Sequence, residues 1–105
     1  MADFSKILEQ ATQMQSRLEQ IQGELEKMTV TGSAGGGMVT VEADGKGQIT
    51  KVRVDPSIVN ASDVEMLEDL LLVALRDAQQ KSTDLAKQEM GKLTGGMSLP
   101  FKLPF

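Results

Sequence analysis

Residues 3–28 read Asp-Phe-Ser-Lys-Ile-Leu-Glu-Gln-Ala-Thr-Gln-Met-Gln-Ser-Arg-Leu-Glu-Gln-Ile-Gln-Gly-Glu-Leu-Glu-Lys-Met. Within them Phe4, Ile7, Ala11, Met14, Leu18, Ile21, Leu25 and Met28 recur at spacings of three and four without a slip. That period is 3.5 residues, the repeat of a coiled-coil seam or a long helical hairpin rather than of an ordinary surface helix. About 25 residues of helix form a rod of roughly 37 Å. A rod of that length in so short a chain needs a partner: its own second helix, another copy, or both.

Working outward, the first helix is expected over Ser5–Met28, capped by Asp3 or Ser5. Thr29–Thr31 has strand character closed by Gly32, and Ser33–Gly37 reads as a flexible Gly-rich connection. From Met38 to Ala43 the pattern alternates, with Val39, Val41 and Ala43 on one face and Thr40 and Glu42 on the other. Asp44-Gly45-Lys46-Gly47 predicts a hairpin turn, since Asp-Gly supplies positive φ. The return strand runs from Gln48 to Val54, with Ile49 out of register, which predicts a bulge or a frayed start. Asp55-Pro56-Ser57 ends the sheet, and a short helical turn is expected at Ser57–Val59. Ser62-Asp63-Val64-Glu65 has the form of a capping box. A second long helix is expected over Asp63–Leu93. Leu70–Leu75 is apolar on all sides, so burial from several directions is required, and a second subunit is the economical source. After Gly95-Gly96, Met97–Phe105 is expected to be an extended, mobile tail. The order is α-β-β-β-α, an α+β class with a three-stranded antiparallel sheet packed on two long helices. No internal repeat and no second domain are evident.

A length of 105 residues sets one domain, expected over residues 1–96 with the tail at 97–105. The chain has no Cys, His, Trp or Tyr, so the core must come from aliphatic residues and Met. The same absences remove disulfides, the commonest metal ligands and the commonest general base. No metal or cofactor is expected, and catalysis is not. No apolar run reaches the roughly 18 residues of a membrane span. Met1-Ala2-Asp3-Phe4 lacks the features of a signal peptide, so a cytoplasmic protein with no membrane partner is expected. The net charge is −4, but Asp55, Asp63, Glu65, Glu68 and Asp69 form an acidic block uninterrupted by Lys or Arg. Removing those five from −4 leaves the rest of the chain at +1. Acids at a helix start have an ordinary cause in the helix dipole.

Several features that could carry chemistry have simpler explanations. The run Gly32–Gly37 is followed by a strand rather than a helix N-terminus and lacks a Gly-Lys-Ser/Thr element, so it is a strand connection, not a phosphate cradle. Glu65, Glu68 and Asp69 could pair for metal binding, but as the start of an amphipathic helix they read as solvated acids. Met14 and Met28 fall on the seam and read as core. The basic residues remain. Lys51 and Arg53 share the outward face of the hairpin. Arg76 and Lys87 are 11 residues apart, as are Lys81 and Lys92, so each pair lines up along a helix. Such stripes can track a phosphate backbone or simply form a solvated face. With no aromatic residue among them, base stacking is not expected, and duplex binding would be backbone-driven.

Taken together, Val30–Val39 (Val-Thr-Gly-Ser-Ala-Gly-Gly-Gly-Met-Val), Asp44–Gly47, Val54-Asp55-Pro56-Ser57, Glu65–Leu70, Met90–Met97 and Leu99-Pro100 resemble the YbaB/EbfC family of bacterial nucleoid-associated proteins over essentially the whole chain. The resemblance implies a homodimer with tweezer-like helical arms, binding of double-stranded DNA, a change in DNA conformation, a role in gene regulation, and a place in the nucleoid. It points to Arg17, Lys27, Arg76, Lys81, Lys87 and Lys92 on the arms as DNA contacts, beside Lys51 and Arg53 on the hairpin. The dimer interface is expected at Leu67, Leu70, Leu71, Ala74 and Leu75. The other reading is an interaction module for a protein partner in DNA repair, with Phe101, Leu103 and Phe105 adding to a partner's sheet edge.

Overall fold

A computed structural model describes residues 2–94, with the side chains of residues 3–92. The expected tail, Met97–Phe105, lies outside the described residues. The elements are α1 (Ala2–Lys27), β1 (Thr29–Ala34), β2 (Val39–Asp44), β3 (Ile49–Val54) and α2 (Val64–Thr94), with 3₁₀ turns at Gly35–Gly37 and Pro56–Ile58. The sheet is antiparallel in the order β1-β2-β3. The α-β-β-β-α order and the three-stranded sheet match the sequence pattern.

α2 lies across β1 and β2. Val39, Val41 and Ala43 point at it and are fully buried with Ala34, Ala74 and Ala78. The close approach depends on Gly32. A Cβ there would overlap the Ala78 backbone nitrogen and the Ala74 carbonyl oxygen. β1 is therefore longer than the sequence suggested. It runs through Gly32 to Ala34, because Ser33 and Ala34 pair with Thr40 and Val39. The connection shrinks to three glycines with φ of +63°, +68° and +93°, a left-handed run that other residues adopt only with strain.

The hairpin at Asp44–Gly47 is present, but its positive φ (+88°) falls at Gly47, not Gly45. Asp44 Oδ1 accepts from the backbone N–H groups of Lys46 and Gln48 at 2.9 and 3.0 Å and shapes the turn from within. The bulge is also present: Glu42 pairs with Lys51 and Ala43 with Ile49, which leaves Thr50 as the extra residue.

Two caps differ from expectation. α1 starts at Ala2, so neither Asp3 nor Ser5 is its N-cap, and Asp3 sits in the first turn. α2 starts at Val64, and its cap is Asp63, whose Oδ1 accepts from the Met66 N–H at 3.2 Å. Ser62 instead donates through both N–H and Oγ to Asn60 Oδ1. The Ser62–Glu65 capping box does not form, because Asn60 has already engaged the serine.

α1 and α2 run antiparallel and touch over only part of their length. Leu25 is buried, while Leu18 and Ile21 are half-buried beside Ala86, Met90, Glu89 and Lys92. Toward its N-terminus α1 is exposed on every side. The radius of gyration is 19.3 Å, against about 13 Å for a compact chain of this length. The fold is thus a small sheet-and-helix base with helical arms standing out from it.

Candidate nucleic-acid interface

The arms are anchored at the hairpin turn. Gly45 N–H donates to the Leu25 carbonyl at 2.8 Å, and Ser82 Oγ donates to the Asp44 carbonyl at 2.8 Å. Both helices therefore grip one four-residue turn, which fixes where their side chains project. Leu18, Leu25, Ala86 and Met90 line an apolar cleft above it.

Ten of the eleven Lys and Arg residues fall within the described segment, and they divide into two groups. Three are engaged by the protein itself. Lys46 pairs with Glu26 at 2.9 Å. Lys92 pairs with Glu89 at 3.1 Å, and Glu89 is itself buried where α2 faces Arg17 and Ile21 of α1. Lys81 pairs with Asp77 at 3.2 Å and donates to the Thr31 carbonyl at 2.9 Å. Asp77 Oδ2 in turn accepts from the Ser33 N–H at 3.0 Å. Lys81 and Asp77 thus close the outer edge of β1, whose backbone groups would otherwise offer themselves to another strand. The Ser33 N–H, helped by Lys81, holds the Asp77 carboxyl below the usual carboxylate range.

The other seven, Lys6, Arg17, Lys27, Lys51, Arg53, Arg76 and Lys87, make no side-chain hydrogen bond or ion pair among the described residues and are exposed. Lys51 and Arg53 stand on the open face of β3, opposite Glu42 and Thr40. Arg17 is brought beside Lys92, but Glu24 and Glu89 line the same hollow, so that cluster is charge-balanced. Arg76 and Lys87 lie on the face of α2 turned away from Ala74, Ala78 and Ser82, about 16 Å apart along the axis. Lys27 ends α1. Lys6 is free yet absent from the expected set. Its only signal is that it shares a heptad position with Lys27, a spacing that solvated helices also show.

The acidic block sits at the opposite end of α2. From Asp69 to Lys87 the rise is about 27 Å, several screening lengths at physiological salt. Lys87 is therefore screened from that block, while Arg76 stands only about 10 Å along the axis from Asp69 and Asp84 lies one turn from Lys87. Asp55, in the same block, is tied to the Ser57 N–H at 2.9 Å, which lowers its pKa. Among the described residues no three carboxylates converge as a metal site needs, and no helix is long and apolar enough to cross a membrane.

The residues expected at a dimer interface lie on the sheet side of α2. Leu67, Leu70, Leu71 and Leu75 pack partly against this chain's own core, and Ala74 is wholly within it. The apolar residues left uncovered are different, and include Val64 and Met66 at the start of α2. Leu72 (46% exposed) and Val73 (53%) stand on α2, and Val52 (48%) is on β3, beyond the reach of α2. The sequence marked the Leu70–Leu75 run as needing several partners; which residues the sheet would cover depends on the helix's rotation about its axis.

The model of the YbaB/EbfC DNA-binding family matches residues 1–97. A nucleoid-associated protein of Gemmatimonas aurantiaca is 48% identical over 103 residues, covering 98% of this chain and 99% of its own. One from Xylella fastidiosa is 50% identical over 105 residues, covering 98% and 96%. The crystal structure of an uncharacterised protein from Helicobacter pylori superposes with a TM-score of 0.79 at 25% identity, covering 88% of this chain and 97% of that one.

Proposed function

The chain belongs to the YbaB/EbfC DNA-binding family, and from that premise we infer that it is a nucleoid-associated, non-enzymatic protein that holds duplex DNA through its phosphates. The observation that carries this reading is the division of the cations: seven are unpaired and exposed among the described residues, and of the two on α2, Lys87 lies about 27 Å along the helix from Asp69. Dispersed Lys and Arg without interleaved aromatics suit backbone contact rather than base readout. The site is Lys27, Lys51, Arg53 and Lys87, with Arg76 at the rim of the dimer seam, one turn from Leu72 and Val73, and Arg17, Lys81 and Lys92 in supporting positions because carboxylates flank them. The protein works as a homodimer, closed over Leu72, Val73 and Val52, so that two sets of arms face one duplex and change its conformation. Its place is the cytoplasmic nucleoid, where such binding affects gene expression.

The test is anisotropy of two unrelated labelled duplexes titrated at several salt concentrations. Each phosphate neutralised contributes about −0.9 to the slope of log affinity against log salt. Similar binding to both sequences, weakening steeply with salt, is expected. Salt-independent binding, or binding of one sequence alone, contradicts the reading.

A further inference from the structure

The heptad seam of α1 is continuous, but among the described residues it is its second half that packs against the fold. Leu18, Ile21 and Leu25 pack toward α2, whereas Phe4 (64% exposed), Ile7 (61%), Leu8 (54%) and Met14 (45%) stand beyond it in solvent. These four leave on the order of 400 Å² of apolar surface on one face of one helix, the size of the largest patch on a typical monomer, which is often functional. The residues around them do not suit DNA: from Gln10 to Ser16 no side chain is charged, and nearer the tip Lys6 stands between Asp3 and Glu9. They do suit a second copy. The seam has the 3.5-residue repeat that helices use to pack on one another. Of the positions flanking residues 4–14 of the seam, Leu8, Gln10 and Gln15 are uncharged and only Asp3, at the very tip, carries a charge. The same seam already packs against a helix a few turns further on.

We propose that residues 4–14 of α1 dock on the same segment of a second copy, tip to tip, joining dimers into larger assemblies. Two such faces bury roughly 800 Å², small for a stable interface and suited to weak, reversible association. The contact is favoured where the local concentration is high, as on a shared duplex. Given the DNA-binding reading, the consequence is that the protein bridges duplexes as well as binding them; the association itself does not depend on that reading.

The test uses the full chain in the absence of DNA. Sedimentation velocity across a wide concentration range should show species above the smallest oligomer, and Ile7→Glu/Met14→Glu should remove them. Circular dichroism unchanged by the double variant is expected, because both side chains are exposed. The chain has no cysteine, so Ala11→Cys on the seam and Ser16→Cys off it can be compared with a short bismaleimide. Cross-linking between copies at position 11 and not at 16 supports the proposal. Equal sedimentation of wild type and double variant at every concentration overturns it. So does loss of the larger species on removing residues 97–105, which would assign the face to the tail. Duplex anisotropy of the double variant separates the two readings: retained affinity with lost assembly is expected, whereas wild-type protein that assembles but binds no duplex would sink the DNA-binding reading alone.

Discussion

Gly45 fits against Leu25 with no room for a side chain. Its N–H donates to the Leu25 carbonyl at 2.8 Å, and a Cβ on Gly45 would stand 2.8 Å from that same oxygen and 3.0 Å from the Leu25 Cα. The end of α1 and the hairpin turn therefore set each other's position. Gly45→Ala must push α1 away from the turn, at a cost of about 1–3 kcal/mol. Leu25→Ala, which empties a site only 1% exposed, should cost about 2–5 kcal/mol. Urea denaturation measures both. A Gly45→Ala protein with an unchanged midpoint would show that the α1 anchor lies elsewhere.

The Asp77 clamp on β1 predicts a specific acid response. Its carboxyl titrates below the ordinary value of 3.8 because it accepts from the Ser33 N–H and faces Lys81. A folded-state pKa below the unfolded one stabilises the fold above the unfolded value and ceases to do so as pH falls through the folded value. The stability gap between wild type and Asp77→Asn should thus be constant near neutrality and narrow only below about pH 4. Asp55 shifts in the same direction, but it is common to both proteins and cancels in the difference. A gap that stays constant down to about pH 3 would remove the charge on Asp77 from the account.

Paired and unpaired cations should separate in their effects. Lys81→Ala removes a partner of Asp77 and of the Thr31 carbonyl and should lower stability by about 0.5–1 kcal/mol, the modest figure reflecting its exposure. Arg76→Glu/Lys87→Glu should leave stability nearly unchanged while weakening binding to all duplexes alike, with the salt slope reduced by about 0.9 for each phosphate no longer neutralised. A drop in duplex affinity from Lys46→Glu, whose ammonium already pairs with Glu26, equal to that from Lys87→Glu alone would mean that net charge rather than placement governs binding.

Leu72→Glu should dissociate the proposed dimer without unfolding the protomer, because the side chain is 46% exposed on a single chain. Ala74→Glu, at a position with no exposure, should unfold the protein outright by forcing an unpaired charge into the core. Light scattering with circular dichroism distinguishes the two. A Leu72→Glu protein that keeps the wild-type mass places the interface away from this face.

Local patterning alone was enough to define the elements. The heptads of α1, the alternation of Val39–Ala43 and the slip at Ile49 each report a backbone period, and a period is a property of neighbouring residues. The helix caps were less legible: Ser62 and Asp63 are both good caps, and only the position of Asn60, which takes the serine, leaves Asp63 to bind Met66. The free and engaged lysines were not distinguishable at all. Lys81 and Lys87 are alike on a helix six residues apart. One finds Asp77 and the edge of β1 because α2 crosses the sheet at Gly32, and the other finds solvent. Likewise the seam of α1 reads the same from Phe4 to Met28, while the tertiary structure alone decides where α2 stops covering it. The sequence by itself thus determined which elements form and that an apolar seam runs the length of the first helix. Which of its charges and apolar residues remain available was decided by packing, because availability depends on what residues distant in the chain bring alongside.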